Sequence, residues 1–179
     1  MIVILAGVSG SGKTTVGALL AGRLGWPFTD GDQLHPAANI AKMARGVPLT
    51  DEDRMPWLQA IASLMDERIA AGVSAIIACS ALKRAYRDLL LDERPAARIA
   101  FLDVAHDVVA RRLAARHGHF FNPELLDSQF AALEQPSPEE RGVVTVEVCD
   151  DTVATAEEIV LVLGLGDGRT PGQDAGHGV

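Results

Sequence analysis

The chain has almost no cysteine: Cys79 and Cys149 are the only two in 179 residues, and no Cys-x-x-Cys spacing joins them. Both sit in apolar, strand-like runs, so the expectation is reduced, buried thiols in a reducing compartment, the cytoplasm. Positive charge is also scarce. Lys and Arg total 16 against 24 Asp and Glu, a net charge of -8. That excludes a general nucleic-acid binder, which needs a basic face, although a local basic cluster can still serve a small anionic ligand. No apolar run approaches membrane-spanning length, so no membrane partner is expected. The opening residues Met1-Ile2-Val3-Ile4-Leu5 lack a basic leader and a cleavage site, and read as a strand, not a signal peptide. No internal repeat is visible. A hydrophobic content of 48% in a chain of this length suits one globular domain with a full-sized core.

What is present begins at Gly7. The run Gly7-Val-Ser9-Gly10-Ser11-Gly12-Lys13-Thr14 follows the apolar stretch Ile2 to Ala6 and leads into a helix-compatible segment, Thr15 to Leu24. Strand, Gly-rich loop and helix in that order are the context a phosphate-binding loop requires. The glycines let successive N–H groups turn toward phosphate oxygens, and the helix N-terminus adds partial positive charge. Lys13 can reach the β- and γ-phosphates, and the Thr14 hydroxyl can ligate Mg²⁺. A nucleoside triphosphate ligand follows from the loop; an acceptor does not.

Continuous apolar runs alternate with helical patterns along the chain. Strands are expected at Ile2–Ala6, Pro27–Asp30, Ser74–Cys79, Arg98–Asp103 and Val143–Val148. Helices are expected at Lys13–Leu24, Ala37–Arg45, Asp51–Ala71, Leu82–Asp92, Asp107–His117, Glu124–Leu133 and Ala154–Leu163. The alternation implies an α/β sandwich of a parallel sheet buried on both faces, with ligands at the carboxyl ends of its strands. Residues 1–163 form the expected domain. From Gly164 onward the sequence is Gly-rich and nearly free of core residues, and reads as a flexible tail, 164–179.

The second expected strand ends in Asp30-Gly31-Asp32. One carboxylate can hold waters around Mg²⁺ and the other can accept a proton from an attacking hydroxyl. If the strand stays extended, the two point to opposite faces. The polar, proline-stiffened stretch that follows carries His35 and Asn39, which can read hydroxyls, and Arg54, which can grip a carboxylate. Asp51 can cap the helix beyond it, and Trp57 can fill core. After the third strand, Ser80 is a candidate N-cap, and Lys83 and Arg87 fall on one helical face, a cationic start suited to an anionic substrate. Arg112 and Arg116 are one turn apart before Gly118, a pattern for a lid that brings arginines to a transferring phosphate and shuts out water. His117 and His119 make a weak metal pair, with no third ligand nearby.

Read together, these segments resemble the gluconokinases. The resemblance rests on Gly7-Val-Ser-Gly-Ser-Gly-Lys13, Asp30-Gly-Asp-Gln-Leu-His-Pro36, Asp53-Arg-Met-Pro-Trp-Leu58, Cys79-Ser-Ala-Leu-Lys-Arg84, His119-Phe-Phe121 and Ser128-Gln-Phe-Ala-Ala-Leu-Glu134, and runs in order from Ile2 to about Leu163. It implies ATP:D-gluconate 6-phosphotransferase activity and a three-layer α/β/α P-loop kinase fold. That fold has a five-stranded parallel sheet of order 2-3-1-4-5, a substrate-binding region at about 32–72 and a lid at about 112–124. It also implies a homodimer. Carried over by position, Gly7, Ser9, Gly10, Ser11, Gly12, Lys13, Thr14, Thr15 and Arg112 hold ATP. Lys13, Asp32 and Arg116 are the catalytic residues, and Thr14 and Asp30 serve Mg²⁺. Asp32, His35, Arg54, Ser80, Lys83, Arg84 and Gln129 line the gluconate pocket. The adenine falls near Asp150. One departure is that the third strand ends in Cys79-Ser80, with no Walker B aspartate.

Overall fold

A computed structural model of the chain describes residues 1–115, 123–149 and 151–166. Its strands are β1 (Ile2–Ala6), β2 (Phe28–Asp30), β3 (Ala75–Ala78), β4 (Ala97–Asp103) and β5 (Val143–Glu147). Its helices are α1 (Lys13–Leu24), α2 (Ala37–Ala44), α3 (Asp51–Ala70), α4 (Arg84–Leu91), α5 (His106–Ala114), α6 (Pro123–Ala132) and α7 (Thr152–Val162), with a short 3₁₀ turn at Gly31–Leu34. The sheet order is β2-β3-β1-β4-β5, the order the resemblance implies, and every pairing is parallel. None of the described helices is long and apolar enough to cross a membrane.

β1 shows why the sheet is central. All five of its residues are buried, and successive side chains leave on opposite faces. Ile2 and Ile4 pack with Trp57, Leu58, Ile61 and Met65 of α3 and with Tyr86 and Leu90 of α4. Val3 and Leu5 pack with Val16 and Leu20 of α1 and Ile159 and Val160 of α7. One continuous apolar run therefore supplies both inter-layer cores, which is the signature of a strand covered on both sides. A smaller cluster of Val8, Leu82, Val104, Val109 and Leu126 fastens the first loop to α5 and α6 at the strands' carboxyl ends.

Several local expectations are corrected. Thr50, not Asp51, caps α3: its hydroxyl accepts from the Asp53 N–H while the Asp53 carboxylate accepts from the Thr50 N–H, a reciprocal box that satisfies two orphan donors. Ser80 caps no helix, because α4 begins at Arg84 and Lys83 occupies the cap position. The intervening loop holds Ala81 at φ 39°. Asp30 and Asp32 do not alternate across an extended strand, because β2 ends at Asp30 and the chain turns at once; the Asp30 carboxylate accepts from the Asp32 N–H at 3.1 Å. The packed chain also runs past Gly164: Leu165 is 4% exposed and joins the α1/α7 core. Arg116, His117, His119 and Asp150 lie outside the described residues.

Candidate active site

The loops after β1, β2 and β3 meet at one edge of the sheet. In the first of them, Gly7, Gly10 and Gly12 have φ of 129°, 79° and 103°, left-handed values that suit glycine. A side chain at Gly10 would also collide with α5, its Cβ lying 2.9 Å from Val109 and 3.0 Å from Leu113. This geometry leaves the N–H groups of Gly10, Gly12, Lys13, Thr14 and Thr15 with no acceptor among the described residues. A cluster of aimed, unspent donors at the start of α1 is a cradle for phosphate oxygens. Lys13 folds back over the loop and donates to the carbonyls of Gly7 at 2.9 Å and Val8 at 2.8 Å. Burial pulls its pKa down, against the raising effect of the Asp32 carboxylate. Ser11 is fully buried, and its hydroxyl finds no partner among the described residues. The Thr14 hydroxyl donates to Asp30 Oδ2 at 3.3 Å, so two hard oxygen donors stand side by side at the cradle's rim, as a small divalent cation requires.

Beside the cradle is a cleft of about 170 Å³. Lys13, Asp32, His35, Arg54, Ser80 and Gln129 supply its polar wall, and Met43, Pro48 and Leu49 its apolar one. Five of the seven residues expected to serve substrate, Asp32, His35, Arg54, Ser80 and Gln129, therefore converge, although they come from four separate segments. The Asp32 side chain is 77% exposed and opens into this space. Its placement depends on Gly31. A Cβ there would lie 2.3 Å from the Ala78 carbonyl oxygen, so only glycine lets the turn press against β3. Trp57 completes the anchor by donating its indole N–H to the Gly31 carbonyl at 2.7 Å. His35 stacks on the same indole, with ring centroids 4.3 Å apart. Burial holds its pKa below the usual value, with Arg54 adding to the effect and Asp32 opposing it. The Arg54 side chain forms no hydrogen bond or ion pair with any described residue and lines the cleft. Gln129 reaches from α6 to the first loop, where its Oε1 accepts from the Ser9 N–H at 2.7 Å.

The basic residues after β3 behave differently from expectation. Lys83 lines an adjoining hollow and gives its ammonium to both oxygens of Asp51 at 2.7 and 2.8 Å. Tyr86 donates to the same carboxylate at 2.5 Å. These bonds keep Asp51 ionised well below the ordinary carboxylate range, and Tyr86 is correspondingly hard to ionise, chiefly through burial. Arg84 pairs with Asp88 at 3.6 Å. Arg87 is not on a shared cationic face at all. It is fully buried, paired with Glu140 at 2.7 and 2.9 Å, and it donates to the carbonyls of Ala81, Leu82 and Glu134. Lys83 is not part of the helix, and Arg87 points inward, so helical spacing alone misassigned both. Arg112 donates to the Cys149 carbonyl at 3.2 Å on the other side of the cradle. Buried Cys79 lies below the cleft with its thiol pushed up to about 12 by burial, which leaves it chemically inert there. Among the described residues no group of three metal-ligating side chains occurs. The sequence reading places Met43, Pro48 and Leu49 within the substrate-binding region at about 32–72 without singling them out as an apolar wall.

The shikimate kinase family model matches residues 9–162. The chain is 42% identical to the thermosensitive gluconokinase of Escherichia coli K12, over 87% of this chain and 83% of that protein. It is 47% identical to the gluconokinase of Gluconobacter oxydans, over 77% and 78%. Among solved structures, a gluconokinase from Sinorhizobium meliloti superposes with a TM-score of 0.81 at 42% identity, covering 90% of each chain.

Proposed function

We propose that this chain, which belongs to the gluconokinase family within the shikimate-kinase-like P-loop kinases, transfers the γ-phosphoryl group of ATP to the terminal hydroxyl of D-gluconate. The observation that carries this reading is that Lys13 and Asp32 line the same cleft as His35 and Arg54. Donor cradle and polyol-sized acceptor site thus share one wall. Phosphoryl transfer is mostly positioning and charge stabilisation. In this reading the loop N–H groups bind the phosphates, and Lys13 leaves its carbonyl partners to follow the γ-phosphoryl oxygens. Asp32 orients the acceptor hydroxyl in line and takes its proton as the new O–P bond forms and the bond to ADP breaks. Arg54 holds the gluconate carboxylate at the far end. Thr14 and Asp30 would hold Mg²⁺, which supplies charge neutralisation between the β- and γ-phosphates. Arg112 and Arg116 would close over the phosphates from the lid side.

The reading extends to a homodimer, on the family resemblance, and to the cytoplasm, where the free thiols of Cys79 and Cys149 would stay reduced. The test is ADP release from ATP measured against gluconate, other sugar acids and shikimate. Gluconate should be preferred by at least roughly tenfold in kcat/KM, well within the discrimination that buried polar groups matched to hydroxyls can supply. Preference for shikimate would replace the acceptor. ATP binding with no acceptor-dependent ADP release would reduce the chain to a nucleotide-binding module.

A further inference from the structure

His35 in the cleft wall and Asn39 behind it are buried polar groups to which the transfer step described above gives no specific role. Asn39 is 4% exposed and His35 8%. The Asn39 side-chain nitrogen stands 2.7 Å from the backbone carbonyl oxygen of Asp53 and 3.4 Å from His35 Nδ1. A carbonyl oxygen only accepts, so the amide atom facing it is the NH₂ group; the amide oxygen there would be repelled. The same NH₂ group faces Nδ1. A proton on Nδ1 would set two donors against each other, so Nδ1 is bare and the neutral ring carries its proton on Nε2.

The surroundings keep the ring neutral and still. It stacks on Trp57 at 14° to the indole plane, and Trp57 is itself tied to the Gly31 carbonyl. The charged groups facing it are Asp32 on the 3₁₀ turn and Arg54 on α3; the Asp53 carboxylate is occupied by Lys42 and the Thr50 N–H. The Nε2–H looks toward Asp32, with Nε2 4.0 Å from Oδ1. That is too long for a hydrogen bond, yet a hydroxyl oxygen about 2.8 Å from each atom fits between them. Such a hydroxyl accepts from Nε2–H and donates to the carboxylate. The opposite tautomer would present two acceptors and leave the His35 side unmatched.

We propose that Asn39 is a positioning residue that fixes His35 as the Nε2–H tautomer, so that His35 and Asp32 together read a non-reacting hydroxyl of the polyol acceptor. The proposal rests on the cleft being the acceptor site. Its first test does not: long-range ¹H–¹⁵N correlation on the full-length protein should show His35 neutral at pH 7 with its proton on Nε2. An Nδ1–H tautomer or an imidazolium would overturn the proposal. Asn39→Asp puts only acceptor oxygens opposite Nδ1. It should move the proton there and raise the gluconate KM roughly tenfold or more, as for a mismatched buried hydrogen bond, with the KM for ATP unchanged. An unaltered tautomer in that variant would remove Asn39 from the role. Should Asn39→Asp fail to fold, His35→Gln and His35→Phe still decide. Gln keeps a donor and Phe keeps only the stack, so Gln should retain the lower gluconate KM by roughly tenfold; equal values would refute the donor role. The expected tautomer in a wild-type protein that ignores gluconate would overturn the acceptor assignment and uphold the Asn39–His35 arrangement.

Discussion

Gly31→Ala adds one methyl group and should damage both stability and turnover. Gly31 does not have a positive φ, so alanine meets no intrinsic backbone penalty and the effect is purely one of space. The new Cβ would lie 2.3 Å from the Ala78 carbonyl oxygen and 3.2 Å from Ile61 Cδ1. Ile61 can rotate away. Ala78 cannot, because β3 is bonded to β1 on one side and β2 on the other. The turn must therefore move by about 1 Å to restore ordinary contact. Overpacking of this kind costs about 1–3 kcal/mol, and stretching the Trp57–Gly31 hydrogen bond adds about 1 kcal/mol. The loss should be about 2–4 kcal/mol, read as a lowered urea midpoint at unchanged slope. The same 1 Å moves Asp32, and a misplacement of that size lowers kcat by roughly 10²-fold. Coupled ADP release with saturating ATP and gluconate measures it. Wild-type stability would show that the contact is not tight. Lost stability with intact kcat would show that the turn does not place Asp32.

Asp32→Asn should lower kcat by at least roughly 10²-fold while the protein melts normally, as for removal of a positioned proton acceptor; near-normal turnover would take the proton from Asp32. Arg54→Ala should chiefly raise the gluconate KM, since this guanidinium has no partner among the described residues to lose, and an unchanged KM would remove it from the carboxylate subsite. Arg87→Met leaves the Glu140 carboxylate buried without a counter-charge, at a cost of about 3–5 kcal/mol, visible in chemical denaturation. The paired change Arg87→Met with Glu140→Leu should recover part of that loss. The hydrogen-bonded Arg87 holds the Glu140 pKa below its ordinary value of 4.5. Stability from this pair is therefore full above about pH 4.5 and lost as pH falls through the lower folded value; urea midpoints against pH should fall less steeply in the paired variant.

The parts of the fold that were legible in sequence are those whose signals are local. β1 and α1 match their expected limits because Gly7 ends the apolar run, Gly12 stands before Lys13, and Gly25 closes α1 in a left-handed C-cap. The end of β2 was less legible. Asp30-Gly-Asp reads as an extended pair of carboxylates, but the close approach of Gly31 to Ala78 forces an immediate turn, and that contact joins residues far apart in sequence. Arg87 shows the same limit more sharply. Its spacing from Lys83 suggests a surface stripe, while its partner Glu140 stands 53 residues away and draws it into the interior. A buried ion pair of that range leaves no periodic trace. Asp51 offered itself as a helix cap, a local role, and instead serves two donors, Lys83 at the N-cap position before α4 and Tyr86 within it.

The two halves of the site differ for a physical reason. The phosphate cradle is one contiguous turn, so its geometry follows from its own glycines. The proposed acceptor wall is assembled from residues 32, 35, 54, 80 and 129, and nothing local fixes their spacing. It is fixed instead by bonds between elements: Trp57 to Gly31, Lys83 and Tyr86 to Asp51, Gln129 to Ser9, and Arg87 to the carbonyls of Ala81, Leu82 and Glu134. The last of these holds Ala81 at a φ that a residue with a Cβ adopts only at a cost, and with it the path of the chain from Ser80 to Lys83. If this cleft is the acceptor site as proposed, recognition there also depends on Asp51, Tyr86 and Arg87, which do not line it. Substitutions at Asp51, Tyr86 or Arg87 that leave the protein folded should disturb the gluconate KM before they disturb the binding of ATP, because the cradle keeps its shape without them.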